Sequence, residues 1–330
     1  MSNLSVVTGA GGHIGYALVK ELVARGERPR LLTFLPNEPA LFEGMDCEIV
    51  MGDITKPDTL PAAFEGAEIV YHLAGLIEVG RGGDAAVWHV NVDGTQNVAA
   101  ACKACGVKRL VYVSSVDAIP PAPAGEVMSE PARFSSGPLN GTYAKTKAIA
   151  AQAVLNSARE GFEVMVGMPS ACIGPYEFKR SNVGELVRMF MKYPFPVTMR
   201  FGGYNFVDVR DVAQGLAAIG EKGRSGESYI LSGEFMDCDS LIQVLARLNG
   251  HKIPKVPLPR ALAVAGAPLA EQYYKLARKT PLFTSYSIRK IMENGLFSYE
   301  KAARDLGYAP RGAEESLRDM IEWIKENEKV

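Results

Sequence analysis

No stretch of this 330-residue chain stays apolar for the about 20 residues a membrane-crossing helix needs. Its most apolar run, Ala261 to Ala270, is interrupted by Pro268 and bounded by Arg260 and Glu271, so it reads as a packed helix. An excess of one charge is equally absent. The 36 lysines and arginines nearly cancel 37 aspartates and glutamates, leaving a formal net charge of -1. Such a balance offers no field to a nucleic-acid backbone or an anionic membrane, and no basic cluster supplies one locally. Neither is an expected partner. The five cysteines are odd in number and scattered, which excludes a disulfide framework. Cys102 and Cys105 form a lone C-x-x-C on one turn of a helical pattern. No second pair or nearby His completes a zinc site, so they read as small buried side chains and no metal is expected. Met1 to Asn3 lead directly into a strand pattern, without the basic start and apolar core of an export signal. These absences predict a cytoplasmic protein.

Apolar residues, at 47%, suffice for a large core. The first half alternates short β-branched runs with longer helix-period segments, the pattern of a parallel sheet covered on both faces. Strands are expected at Leu4–Thr8, Arg30–Phe34, Cys47–Met51, Ile69–Leu73, Arg109–Val113 and Val164–Met168. Helices are expected at Ile14–Arg25, Pro57–Phe64, Asp84–Cys105 and Thr142–Glu160. The span from Ile119 to Leu139 is rich in Pro, Ala, Gly and Ser and predicts a long irregular loop. After Pro175 the order becomes irregular. Phe206 to Glu221 and Ser228 to Leu231 suggest a return to the sheet, whereas Leu241–Asn249, Arg260–Arg278 and Ala313–Glu328 are helical. The expected fold is α/β, a Rossmann-type doubly wound parallel sheet with a smaller, mainly helical C-terminal substrate lobe. Residues 1–174, rejoined by 206–232, would form the dinucleotide-binding domain, and 175–205 with 233–330 the lobe.

Thr8-Gly9-Ala10-Gly11-Gly12-His13-Ile14-Gly15 follows a strand and opens a helix, where glycine lets backbone N–H groups and a helix N-terminus approach a pyrophosphate. Tyr143 and Lys147 stand four apart on a helix, so phenol and ammonium share a face. A fixed positive charge beside a phenol favours the phenolate and brings it closer to proton exchange at neutral pH. Ser114 and Ser115 end the fifth strand, where parallel-sheet enzymes expose their chemistry and a hydroxyl can meet a substrate oxygen.

With its T-G-x-x-G-x-x-G spacing and Y-x-x-x-K pair, the chain resembles the short-chain dehydrogenase/reductase superfamily, and its late segments Phe206–Ala213 and Lys301–Pro310 resemble signatures of the extended members. The resemblance covers nearly the whole chain. It implies that Thr8, Gly9, Gly11, Gly12, His13, Ile14 and Gly15 cradle a dinucleotide, with Asp53 at the adenine amine and Ile54 beside it. It places Leu73, Ala74, Gly75 and Asn91 near the nicotinamide ribose, and Ser114, Pro169, Ser170 and Cys172 along the same cofactor. Tyr143 and Lys147 would touch cofactor as well as substrate. The implied catalytic set is Ser115, Tyr143 and Lys147, with alignment favouring Ser115 over Ser114. At the end of the second strand an acid marks NAD enzymes; Thr33 stands there, which favours NADP over NAD, although no arginine follows immediately.

Within this family the residues point to the dihydroflavonol-reductase-like branch, acting on a small carbonyl or alcohol substrate. Sugar-nucleotide enzymes commonly carry Asn where this chain has Ala171, and the hexose dehydratases follow the catalytic hydroxyl with Asp-Glu where this chain has Val116-Asp117. Tyr176, Phe178, Phe195, Phe201, Tyr204 and Phe206 suggest an apolar or aromatic cleft, each having core packing as its plain alternative. A sugar-nucleotide epimerase or dehydratase is the alternative enzyme, and a catalytically silent NAD(P)-binding sensor the alternative of another class. The resemblance also implies a homodimer through helices around Ala85–Cys105 and Thr142–Glu160.

Overall fold

The structure, a computed structural model, describes residues 4–77, 83–194, 196–276 and 285–328. In chain order, β1 (Ser5–Thr8), α1 (His13–Ala24), β2 (Arg30–Thr33), β3 (Glu48–Met51), α2 (Pro61–Phe64) and β4 (Ile69–His72) form the first half of the main sheet unit. Next come α3 (Gly83–Trp88), a π-helical turn (His89–Gly94), α4 (Thr95–Ala104), β5 (Arg109–Val113), α5 (Thr142–Leu155) and β6 (Glu163–Pro169). The remainder is β7 (Ala171–Ile173), α6 (Asn182–Lys192), β8 (Gly203–Asp208), α7 (Val209–Lys222), β9 (Ser228–Leu231), β10 (Glu234–Asp237), α8 (Cys238–Leu248), α9 (Arg260–Leu276), α10 (Ser285–Met292), α11 (Glu300–Leu306) and α12 (Ala313–Asn327).

Seven of these strands pair in parallel in the order β3-β2-β1-β4-β5-β6-β9. Alternate side chains take opposite faces, as a pleated strand requires. Val6, Leu32, Val70, Leu110 and Val164 pack with α2, α4 and α5. Val7, Leu31, Tyr71, Val111 and Met165 pack with α1, α7 and α11. A sheet buried on both faces explains why these strands read as continuous apolar runs. The strand order reverses at β1, where it passes outward to β2 on one side and β4 on the other, so a crevice opens beyond the carboxyl ends of β1 and β4.

The lobe departs from the expected organisation. Gly203–Asp208 does not rejoin the main sheet; it pairs in parallel with β7 and antiparallel with β10 in a separate three-stranded sheet. The return comes later, with α7 and β9. α6, α8 and α12 pack on the small sheet around Phe190, Leu245, Leu317 and Met320. α6 carries apolar residues at helical spacing, with Val187 and Phe190 buried, and its mid-helix Arg188 is buried as well, pairing with Glu177 and Glu328. Ser181 caps that helix by accepting from the Gly184 N–H at 3.0 Å. The helix expected to reach Glu160 stops at Leu155, ahead of a tight reversal in which Gly161 takes a φ of 77°.

One glycine contact tests the tightness of the first turn. A Cβ on Gly15 would lie 2.2 Å from the Gly9 carbonyl oxygen. Gly15→Ala is therefore expected to lower stability by about 3 kcal/mol and to remove dinucleotide binding, read by thermal denaturation and by titration with a reduced nicotinamide dinucleotide.

Candidate active site

β1 delivers the chain to the crevice at Thr8, and the glycine turn follows. Gly9 takes a φ of 71°, and a Cβ there would come within 2.6 Å of the Ala74 nitrogen. The bare turn thus lies against the Leu73–Ala74 backbone at the end of β4. α1 begins at His13 behind Gly12, with no side-chain cap and no acidic residue in its first turn. An uncapped positive helix end, approached through small residues, suits a pyrophosphate. Beneath it, His72 is buried and bridges two hydroxyls, Thr8 Oγ1 at 2.7 Å through Nδ1 and Thr95 Oγ1 at 3.0 Å through Nε2. Burial, reinforced by the Lys147 charge, pushes its pKa down to about 3, so the ring is neutral and serves as a rigid support. The His13 ring reaches the Pro175 carbonyl at 2.8 Å, which ties the Pro169–Pro175 segment to the first turn of α1.

Other cofactor candidates fall on both sides of this turn. Asp53 accepts at Oδ1 from the Thr55 N–H (2.9 Å) and hydroxyl (2.7 Å), so one oxygen is already a turn cap. Ile54 is buried beneath Gly94, and its carbonyl accepts from Asn97 at 3.0 Å. Thr33 is buried with its hydroxyl on Met51 Sδ at 3.2 Å, so that group points into packing between β2 and β3. Pro169 ends β6 and Ser170 follows it, both buried, and the Ser170 hydroxyl is a buried polar atom with no protein partner. An orphaned hydroxyl at the sheet's carboxyl edge calls for an external partner. Cys172 donates to the Ser170 carbonyl at 3.5 Å, and burial pushes its thiol up to about 12, which rules it out as a thiolate nucleophile at neutral pH.

Tyr143 and Lys147 lie on α5, which starts where Gly141 adopts a φ of 83°. Lys147 is 5% exposed; its Nζ donates to the Val113 carbonyl at 2.6 Å and sits 4.7 Å from the centre of the Tyr112 ring. Gly75 and Asn91 flank the same ammonium: a Cβ on Gly75 would stand 3.7 Å from Nζ and 3.0 Å from Asn91 Oδ1. Asn91, in the π-helical turn, is locked by Leu76 on both its polar atoms and by Thr146 Oγ1 at 3.1 Å. Tyr143 is half-buried at the mouth of this cluster. Burial first, and the nearby Tyr143 second, push the Tyr112 phenol up, which marks Tyr143 as its neighbour.

The two serines separate clearly. Ser114 is buried, with its hydroxyl toward the Lys147 carbonyl at 3.3 Å. Ser115 is half-buried, and its Oγ accepts from the Asp117 N–H at 3.1 Å, which leaves its own hydrogen available to donate. Beyond Ser115 lies a network that sequence inspection did not anticipate: Asp117 accepts from the Tyr204 hydroxyl at 2.9 Å and pairs with Lys290 at 2.8 Å. Asp117 and Lys290 border a cavity of about 350 Å³ walled by Val116, Ile119, Met128, Leu139 and Phe297, with Arg289 and Glu293 also at its polar side. The irregular 119–139 loop supplies one wall, held by backbone bonds from Met128 to Leu296 and from Ser298 to Met128.

The expected aromatic cleft is corrected by these positions. Tyr176 and Phe178 pack against Tyr16, tilted and edge-on, with centroids 5.4 and 4.8 Å away, and Phe178 also meets Trp323. Phe206 is buried in the lobe core and Phe201 packs against it. Phe195 lies outside the described residues. Of the described set, Tyr204 alone reaches the Asp117 network. Among the described residues no helix is long and apolar enough to cross a membrane.

A doubly wound sheet with a bare glycine turn at its switch point, and a Tyr/Lys pair beyond it, defines an NAD(P)-binding oxidoreductase fold. The chain belongs to the NAD dependent epimerase/dehydratase family, whose model matches residues 5–232, and is an enzyme of the extended short-chain dehydrogenase/reductase type. It is 30% identical over 326 residues to sterol demethylase protein B of Methylococcus capsulatus, covering 98% of each chain. It is 27% identical over 329 residues to a candidate dihydroflavonol 4-reductase of Synechocystis, covering 98% of this chain and 95% of the other. The crystal structure of gox2253 superposes with a TM-score of 0.85 at 30% identity, covering 98% of both chains.

Proposed function

We propose that this enzyme transfers hydride between a nicotinamide dinucleotide and a carbon bearing oxygen, reducing a ketone or aldehyde, or oxidising the alcohol, of a small and largely apolar substrate. The observation that carries this reading is the Tyr143–Lys147 pair at the start of α5, with the Lys147 ammonium buried beside Gly75, Asn91 and the Val113 carbonyl. The glycine turn, the uncapped start of α1 and the unpartnered Ser170 hydroxyl fit a dinucleotide. When bound, that cofactor supplies or accepts the hydride.

The protein's own groups handle the proton. Tyr143 gives its phenolic proton to the substrate oxygen during reduction and takes it back during oxidation. Lys147 in its protonated form stabilises the resulting phenolate, because an opposite charge nearby favours the ionised phenol. Ser115 donates a hydrogen bond to the same oxygen as negative charge grows on it. Ser114 is the weaker candidate, since its hydroxyl is turned to the Lys147 carbonyl.

An apolar substrate is supported by the Val116, Ile119, Met128, Leu139 and Phe297 walls of the cavity. It is also supported by relatives named for sterol and dihydroflavonol chemistry, the one apolar and the other aromatic. Ala171 packs against the lobe core and offers no polar anchor for a sugar nucleotide. The test is a panel of ring ketones, aldehydes and secondary alcohols, including sterols and dihydroflavonols, followed at the reduced-nicotinamide absorbance band. Substrate-dependent consumption or formation of reduced dinucleotide is expected. Interconversion of nucleotide sugars without net dinucleotide turnover would replace this reading with the epimerase.

A further inference from the structure

Glu38 is a charged side chain only 8% exposed, at the start of the short 3₁₀ turn Glu38–Phe42 that follows β2. Its carboxylate lies over the dinucleotide turn: a Cβ on Gly11 would come within 2.7 Å of Oε1 and 2.9 Å of Cδ. Two backbone donors of the chain leaving β2 face Oε2, the Phe34 N–H at 3.3 Å and the Leu35 N–H at 3.5 Å. Lys179, from the segment before α6, reaches Oε1 at 2.8 Å. These contacts explain why a buried carboxylate can be retained, because its charge is paired and its oxygens are hydrogen-bonded.

The place of this carboxylate has a chemical meaning. In a dinucleotide fold an acid about 20 residues beyond the glycine turn, near the end of the second strand, hydrogen-bonds the adenosine ribose hydroxyls of NAD, whereas NADP requires a group that tolerates the 2′-phosphate. Thr33, at the strand end, has its hydroxyl on Met51. Glu38 stands five positions later, yet the turn between them folds its carboxylate back onto Gly11.

We infer that Glu38 is the residue that meets the adenosine ribose and selects NAD(H) over NADP(H), with Lys179 as the positioning residue that holds its carboxylate at Gly11. The inference rests on the proposed dinucleotide chemistry and reverses the preference suggested by Thr33. A 2′-phosphate carries further negative charge, and set beside the Glu38 carboxylate it is repelled. Lys179 gives no way out: turning to the phosphate would leave Glu38 buried without its cation, the costlier arrangement. Glycine at position 11 is part of the device, since the atoms a methyl there would strike are the far end of the Glu38 side chain.

The test measures binding, independently of turnover. Full-length protein stripped of nucleotide is titrated separately with NADH and NADPH, by nicotinamide fluorescence and by calorimetry. The wild type is expected to bind NADH at least about tenfold more tightly than NADPH. Glu38→Gln keeps the acceptor oxygen and removes the charge; it should shrink that ratio severalfold, chiefly by improving NADPH. Gly11→Ala leaves Glu38 in the chain but pushes its carboxylate away, and should shrink the ratio as well, so the two variants check each other should either fold poorly. Equal or tighter binding of NADPH by the wild type, or an unchanged ratio in both folded variants, would overturn the role of Glu38 while leaving the dinucleotide reading intact. Binding of neither NADH nor NADPH would overturn both.

Discussion

Tyr143→Phe is expected to lower turnover of an accepted carbonyl substrate by roughly 10²–10⁴-fold, the usual range for removing a positioned general acid. Affinity for the reduced dinucleotide should change little, because phenylalanine keeps the ring that fills the half-buried position at the start of α5. The measurement is kcat at the nicotinamide band together with a dinucleotide titration of the same preparation. The contrast with Ser115→Ala is informative. In the proposed mechanism Ser115 orients the substrate oxygen without moving its proton, so its loss should be smaller and should fall on both KM and kcat. Ser114→Ala removes a hydroxyl that faces the Lys147 carbonyl and should leave the pH profile of kcat in place. A Tyr143→Phe enzyme that retained its rate would remove Tyr143 from the reaction.

The parts of the site legible in the sequence are those in which neighbouring residues act together. The glycine turn, the Leu73–Gly75 segment, the Ser114-Ser115 strand end and the Tyr143–Lys147 helix each lie within a few residues, and their periods of two or 3.6 state which side chains share a face. The sheet was legible for the same reason, since β1, β2, β4, β5 and β6 are buried runs separated by helical ones. Features assembled from distant segments were not. Asp117, Tyr204 and Lys290 meet from β5's exit, β8 and α10, and nothing local to any of them announces the others. β10 was invisible because only Met236 of its four residues is buried, as expected of an edge strand. Glu38 reads as an ordinary polar loop residue until the turn after β2 places it over Gly11. The aromatics that suggested a cleft illustrate the converse: Tyr176 and Phe178 found their partner in Tyr16 on α1, a contact that composition alone does not distinguish from a ligand wall.

Lys147→Met should slow turnover strongly and, in the cofactor-free protein, change how stability depends on pH. Burial lowers the Lys147 pKa from 10.5 to about 7. In the unfolded chain the amine stays protonated up to 10.5, so between about pH 7 and 10.5 the unfolded state binds more protons than the folded one. Stability attributable to this group therefore rises with pH across that window and falls as pH drops toward 7. Between pH 7 and 9 the rise amounts to about 2 kcal/mol. Above about pH 9 the buried thiols Cys102 and Cys172 act in the opposite sense, because burial raises their pKa values and the unfolded chain loses those protons first. The useful interval is thus pH 7 to 9, and the difference in denaturant midpoint between wild type and Lys147→Met isolates the lysine. Methionine should flatten the slope, and at pH 7 it should match or exceed the wild type in stability, because an apolar side chain of similar length enters the site without a buried charge. Saturation with a reduced dinucleotide should flatten the wild-type slope too, since polar groups brought to the ammonium raise its folded pKa toward the unfolded value. Parallel slopes for the two proteins without cofactor would mean that Lys147 keeps its proton at Val113 across this range, and that its charge is always present beside Tyr143 rather than supplied on binding.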